Sequence, residues 1–402
     1  MDRRHFLTTG TAVGLSMLAG CDSDQPSGSE STPTESTTST SEPTPTSEPT
    51  PTPTDCEPEV VSENIEEDTT WDTTDCHRVA LDGNVSVKGG ATLTIEPGVE
   101  VIGQSESRLS VRDEAALVAS GDPENPVTFH GESETPGYWD GIEITSNNPN
   151  NSLDHVDIAH GGGNDYANLY VGYGNNGLVS VTNSTLRQSK TAGLLVERGA
   201  TLSEFAKNEF RNNEGAAVYI PTNMVGAIDA DSTYVDNNGI DAVRVSDDSV
   251  NDDATWSGVP YRFDGNNHVI HGGEVTVEPG AQFTISQGGR ITVKDGGALT
   301  AEGTSDSPIT FEGESGAPGY WEGIWIRTDN PNNSFDHVDI AHGGGNDVAN
   351  LYVGYGNHGL ASVTNSTLRQ SATWGIYVED GGSLDASNNT FKNNANGGIR
   401  YP

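Results

Sequence analysis

The feature that most constrains this chain is an internal copy. Residues Pro149 to Ser189, PNNSLDHVDIAHGGGNDYANLYVGYGNNGLVSVTNSTLRQS, recur at Pro331 to Ser371 with four changes. These are Leu153 to Phe335, Tyr166 to Val348, Asn176 to His358 and Val179 to Ala361, at a constant offset of 182 (337 − 155 for the histidine). Repetition at a fixed spacing points to stacked like units rather than a globule. Composition agrees: 32% of residues are hydrophobic and 49 are Gly, enough for a narrow solenoid but not for a wide core.

A shorter period runs inside each copy. NSTLRQS, KNEFRNN and DSTYVDNN place Leu186, Phe210 and Tyr234 24 apart (210 − 186 and 234 − 210), each in a short apolar alternation followed by Asn or Gly. About that length makes one rung of three short strands and three turns. Asn tolerates left-handed backbone and its amide can stack on the Asn of the next rung, while Gly permits tight corners. TLTI and LYV alternate with period two, and no helical stripe of useful length is present.

The run from DTTW (Asp68 to Trp71) through TLTIEPGVEV, GDPENPVTF, YWDGI, SLDHVDI and NSTLRQS resembles the right-handed parallel β-helix repeat proteins of microbial surfaces, over nearly all of 57–402. The fold expected is therefore all-β, a right-handed parallel β-helix in two tandem homologous units, 57–244 and 245–402, the second opening at DATW (Asp253 to Trp256). The resemblance is specific for fold and says little about activity, because the family spans lyases, hydrolases and adhesins. The second unit ends on FKNNANGGIRYP, which matches FRNNEGAAVYIP ending at Pro221, with no counterpart to DSTYVDNN. Its last rung is expected to form an unusual end or to be covered by a partner or another copy.

Arg3-Arg4, Phe6-Leu7 and an apolar run reaching Leu18-Ala19-Gly20-Cys21 read as a twin-arginine signal with a lipobox over 1–20. The segment resembles those of exported lipoproteins, which implies lipidation of Cys21 and a cell-surface location anchored to the membrane. The apolar run is shorter than the ~20 residues a span needs. Residues 21–56 are rich in Ser, Thr, Pro and Glu, as in SEPTPTSEPTPTPT, and read as an extended disordered stalk. In an exported domain the remaining cysteines, Cys56 and Cys76, are expected to pair; redox catalysis is the alternative, and no CxxC spacing supports it.

With 59 Asp plus Glu against 19 Lys plus Arg, the formal charge is −40. Phosphate binding needs clustered cations, so nucleic acid is excluded as a partner. Dispersed acidity of this kind is similar to that of exported proteins of halophilic archaea, since at molar salt the screening length falls to about 3 Å; an acidic surface that gathers divalent cations is the other reading.

DHVDIAHGGGND, at Asp154 to Asp165 and Asp336 to Asp347, is the sharpest candidate for chemistry. If Val156 and Ile158 face the core, period two sends His155 and Asp157 outward together, about 7 Å apart. With Asp165 this suits a metal site or an acid/base pair, and His337, Asp339 and Asp347 repeat it along one face. The alternative is plain surface polarity beside a Gly corner. No cofactor is required; calcium is the ion these aspartates would suit.

The aromatic candidates are Trp139 and Trp321 in GYW(D/E)GI, and Tyr170, Tyr173, Tyr352 and Tyr355 in LYVGYGN, read either as sugar-stacking rings or as packing residues. The NTD, GHG and RIK segments of polygalacturonases are absent, and the DD pairs at Asp247-Asp248 and Asp252-Asp253 fall in an acidic linker. Pectate lyases use calcium-binding aspartates and an Arg base, for which Arg187 and Arg369 are the only regularly placed candidates. Of the six N-x-(S/T) sequons, Asn183 and Asn365 fall where corners are expected. The reading is a lipid-anchored surface protein without catalysis, in glycan binding, adhesion or surface structure, with a polysaccharide as partner. The alternative is a polysaccharide lyase or hydrolase using His155, Asp157, His337 and Asp339.

Overall fold

The computed structural model describes residues 56–74, 76–172, 174, 176–356 and 358–402; the signal segment, Cys21 and nearly all of the stalk lie outside them. The described chain is a parallel β-helix of about 13 turns, with three short 3-10 segments as its helical content. No described helix is long and apolar enough to cross a membrane.

Five sheets form the sides. Sheet 1 has 7 strands, from Glu59–Val61 to Glu209–Arg211; sheet 2 has 13, from Asn84–Val87 to Thr390–Lys392; sheet 3 has 6, from Thr69–Trp71 to Thr201–Ala206. In the second half, sheet 4 has 7 strands, from Ser249–Val250 to Gly397–Arg400, and sheet 5 has 6, from Ala254–Trp256 to Ser383–Ser387. Sheet 2 runs the whole length, and the boundary expected at 245 falls within its strand Ile240–Ser246, which pairs on both edges. The two homologous units are thus one continuous solenoid, not two bodies.

The copies do not share a side. Val156–Ala159 belongs to sheet 1, whereas its copy Val338–Ala341 belongs to sheet 2. On sheet 2 the first copy instead places Leu169–Val171, the next strand round the rung. The segment between the copies occupies a non-integral number of turns, with a 3-10 turn at Thr222–Ala227 where a strand would lie. The expectation that His155/Asp157 and His337/Asp339 line one face is corrected: the second copy is advanced by one side.

The core is a set of side-chain columns. Val79, Val101, Phe129, Ile158, Leu186 and Phe210 stack inward from sheet 1, each buried. Tyr234 continues the column, its ring 5.8 Å from that of Phe210 at 9°, as the 24-residue spacing predicts. Burial of such columns supplies most of the driving force, at about 25 cal/mol per Å² of apolar surface. Asn closes the corners: the amide of Asn213 donates to Leu186 O at 3.1 Å and to Asn238 Oδ1 at 2.9 Å. The last rung is open, with Leu384, Phe391 and Ile399 only partly buried.

One buried ring marks the seam. His268 donates from Nδ1 to the hydroxyl of Thr222 (2.7 Å), which itself donates to Ser246 O (2.8 Å). Its Nε2 is buried with no partner. Burial, against the opposing carboxylates Asp247 and Asp264, holds the imidazole at about 4. The unfolded chain takes up this proton near pH 6.5 and the folded chain does not. Stability from this group is therefore complete above about pH 6.5 and drains away as pH falls toward 4, by up to about 3 kcal/mol. Urea unfolding at pH 7 and pH 4.5 is expected to show less acid loss in His268→Phe than in the wild type; equal loss in both would remove His268 as its cause.

Candidate functional site

The outer face of sheet 1 carries two columns. One runs Arg78, Glu100, Thr128, Asp157, Thr185, Glu209; the other runs Ala80, Ile102, His130, Ala159, Arg187, Arg211. Small residues at Ala80 and a low Ile102 leave a hollow of about 310 Å³, floored by these two. Glu57, Pro58, Val60 and Arg78 wall one end, and Gln104, His130 and Glu132 the other. The first wall is the edge strand Glu59–Val61 with the residues before it, pinned by the Cys56–Cys76 disulfide (Cα–Cα 5.9 Å) that the sequence predicts.

Polar groups around the hollow are locked to one another. Arg78 Nε donates to Glu100 Oε2 at 2.6 Å, and His130 Nε2 meets Glu100 Oε1 at 2.8 Å. Burial pushes the Glu100 carboxyl up, but His130 and Arg78 outweigh it and hold the group below the usual range. Behind His130, His160 is buried at a left-handed corner (φ 63°), edge-on to the His130 ring at 6.4 Å and with neither ring nitrogen hydrogen-bonded. Burial, then Arg187 and His130, depress its basicity.

The residues singled out in the sequence are distributed differently. His155 and Asp157 do not form an outward pair, because His155 itself is the corner (φ 49°) between Ser152–Asp154 and Val156–Ala159, and the alternation stops there. Its Nδ1 meets Asp154 Oδ2 at 3.0 Å instead. Asp157 is taken by Arg187, whose Nε lies 2.9 and 3.1 Å from its two oxygens. The second copy repeats both arrangements: His337 meets Asp336 at 2.7 Å and Arg369 meets Asp339 at 3.0 Å. Arg187 and Arg369 thus do face the aspartates, as ion pairs. Asp165 and Asp347 end exposed 3-10 turns on the way to the next side, away from Asp157 and Asp339. Among the described residues, the one close group of three metal-ligand types is Cys56, Cys76 and His77, whose sulfurs are already joined. The expected calcium set does not converge.

Trp139 and Trp321 are buried, each indole donating to a carbonyl at 2.8 Å (Ala159 O and Ala341 O), so neither stacks a sugar. Tyr170 gives its hydroxyl to Glu197 and packs on Tyr166 at 5.1 Å. Tyr352 lies between Trp325 and Tyr377, 5.3 Å from each, so its faces are covered. Tyr355 is exposed with Arg327 3.8 Å above its ring, and Tyr173 lies outside the described residues. Asn183 and Asn365 are left-handed corners, their amides on Asp154 and Asp336.

The hollow, with Arg78, Glu100, His130 and Glu132, is what sequence reasoning missed. No motif carries these residues; the one signal is that VTFHGE in the first copy, against ITFEGE in the second, puts His130 where Glu312 stands. Residues 63–176 match the pectate-lyase-like beta helix domain. The match spans most of the hollow and ends before the second copy begins. No curated protein and no solved structure matches the chain.

In the second copy an arginine stands where this β-helix has the floor of the hollow. The corresponding column on sheet 2 reads Arg262, Thr284, Glu312, Ala341, Arg369. Where Ala80 leaves space, Arg262 crosses toward Glu314, its Nη1 3.3 Å from the carboxylate.

Proposed function

We propose that the protein binds polysaccharide in the hollow of sheet 1 and does not cleave it. The carrying observation is a cleft with an apolar floor, Ala80 and Ile102, rimmed by planar polar side chains, within a pectate-lyase-like β-helix domain. Such a site suits a sugar ring, whose C–H face packs on the floor while its hydroxyls reach Gln104, Glu132 and His130. Glu100 and Asp157, on the same sheet face beside the cleft, are held by Arg78, His130 and Arg187, while Glu57 and Glu132, which line it, stand at its opposite ends; that arrangement supports binding over paired acid/base work. An exported, lipid-anchored location, read from Arg3-Arg4 and Cys21, belongs to this proposal, and cell fractionation tests it.

Ala80→Arg is the direct test, because the second copy accommodates arginine at the matching position. Retention on immobilised neutral and amino polysaccharides is expected to fall at least about tenfold, equivalent to about 1.4 kcal/mol, with unfolding unchanged. A variant that retains glycan like the wild type would move the site elsewhere.

A further inference from the structure

The geometry points to a protonated amine as the group this hollow receives, and so to an amino-sugar polymer, not a uronate, as its glycan. The inference rests on the glycan-binding reading and names its ligand class. In the second copy the chain supplies its own occupant. The guanidinium of Arg262 donates from Nε to Asp264 Oδ1 at 3.1 Å and reaches Glu314 Oε1 with Nη1 at 3.3 Å, while Glu314 Oε2 faces the hydroxyl of Tyr320 at 3.5 Å. Glu132 is the same residue in the first copy, and its Oε2 accepts from Tyr138 at 3.2 Å. No cation pairs with Glu132 among the described residues. Ala80 has removed the cationic nitrogen and left its carboxylate in place.

The charges around the hollow agree. Arg78 is committed to Glu100, which also holds the His130 ring, so neither side chain is free to meet an incoming carboxylate. Glu57 and Glu132 are exposed at opposite ends of the cleft. A uronate would bring a carboxylate against these two, on a chain whose formal charge is −40. An ammonium on the same pyranose ring would instead stand where Arg262 places its guanidinium, with the ring on Ala80 and Ile102.

Calorimetry of the full chain at one fixed ionic strength tests this, with hexamers of glucosamine, N-acetylglucosamine and galacturonate and a lysine-rich peptide matched in charge to the first. The glucosamine hexamer is expected to bind at least about tenfold tighter than either other glycan, and Glu132→Gln to weaken it about fivefold, within the range of a partly exposed ion pair. Glu132 is exposed, so the variant folds, and unfolding in urea checks that it does. Equal or tighter binding of galacturonate, or of the N-acetylated hexamer, with Ala80→Arg still abolishing it, would overturn the amine assignment and leave the glycan reading intact. Binding of no hexamer at all would sink both. Tighter binding of the peptide would assign the hollow to a protein partner and overturn the proposal.

Discussion

Gly141→Ala is expected to destabilise the solenoid by about 4 kcal/mol or more, an effect large enough to unfold the surrounding rungs. Gly141 has φ +108°, a conformation L side chains rarely adopt, and a Cβ there would sit 2.1 Å from Ala167 O and 2.8 Å from Asn168 O. Those are backbone atoms of the next rung, and they cannot retreat. Ile142 N donates to Asn168 O at 2.9 Å, and the Asn168 amide is clasped to Ile158 O at 3.0 Å. Gly323 stands in the same position in the second copy, at φ +114° and 2.0 Å from Ala349 O, so Gly323→Ala is expected to match it. Denaturant unfolding of either variant within about 1 kcal/mol of the wild type would contradict the argument. GYW(D/E)GI recurs because its Trp fills the core and its Gly lets two rungs touch.

Breaking the Cys56–Cys76 disulfide is expected to cost about 3 kcal/mol and to weaken glycan retention as well. The bond closes a loop of sequence separation 20, and loops of that size contribute about 3 kcal/mol through the unfolded chain. Little else holds the segment it pins. Glu59–Val61 is an edge strand that pairs only with Val79–Leu81, and its side chains are largely exposed, Val60 by 60%. That strand and the residues before it form one wall of the hollow, so its fraying removes contacts to ligand without touching the floor. Cys56→Ser with Cys76→Ser, or reductant on the wild type, is expected to lower the unfolding midpoint and reduce glycan retention several-fold. A lowered midpoint with undiminished retention would show that the wall stands without its bond.

Much of the fold was legible because a β-helix is written locally. Period-two alternation sets which side chains enter the core, and Asn and Gly mark the corners, so Leu186, Phe210 and Tyr234 could be stacked from spacing alone. The site was less legible for the same reason. His155 sits in an apparent alternation with Val156 and Asp157, but a single left-handed residue ends one strand and starts another. Parity cannot be counted through a corner. The aromatic residues failed differently: Tyr352 does point outward, yet its neighbours one rung away, Trp325 and Tyr377, cover both ring faces.

The sequence alone determined the parallel β-helix, the 24-residue stacking of Leu186, Phe210 and Tyr234 and the disulfide, because each follows from local periodicity or from two residues. Tertiary structure alone decided where the copies face and what each outward residue meets. The number of sides between them depends on how residues 222–239 are wound, and the partners of Arg78, Glu100, His130 and Asp157 lie 22 to 30 residues away, one rung up or down. Ala80 is the clearest case. Unremarkable in the sequence, it becomes the floor of a hollow once the fold brings it and Glu132 to one cleft, and in the second copy Arg262 stands at the matching position.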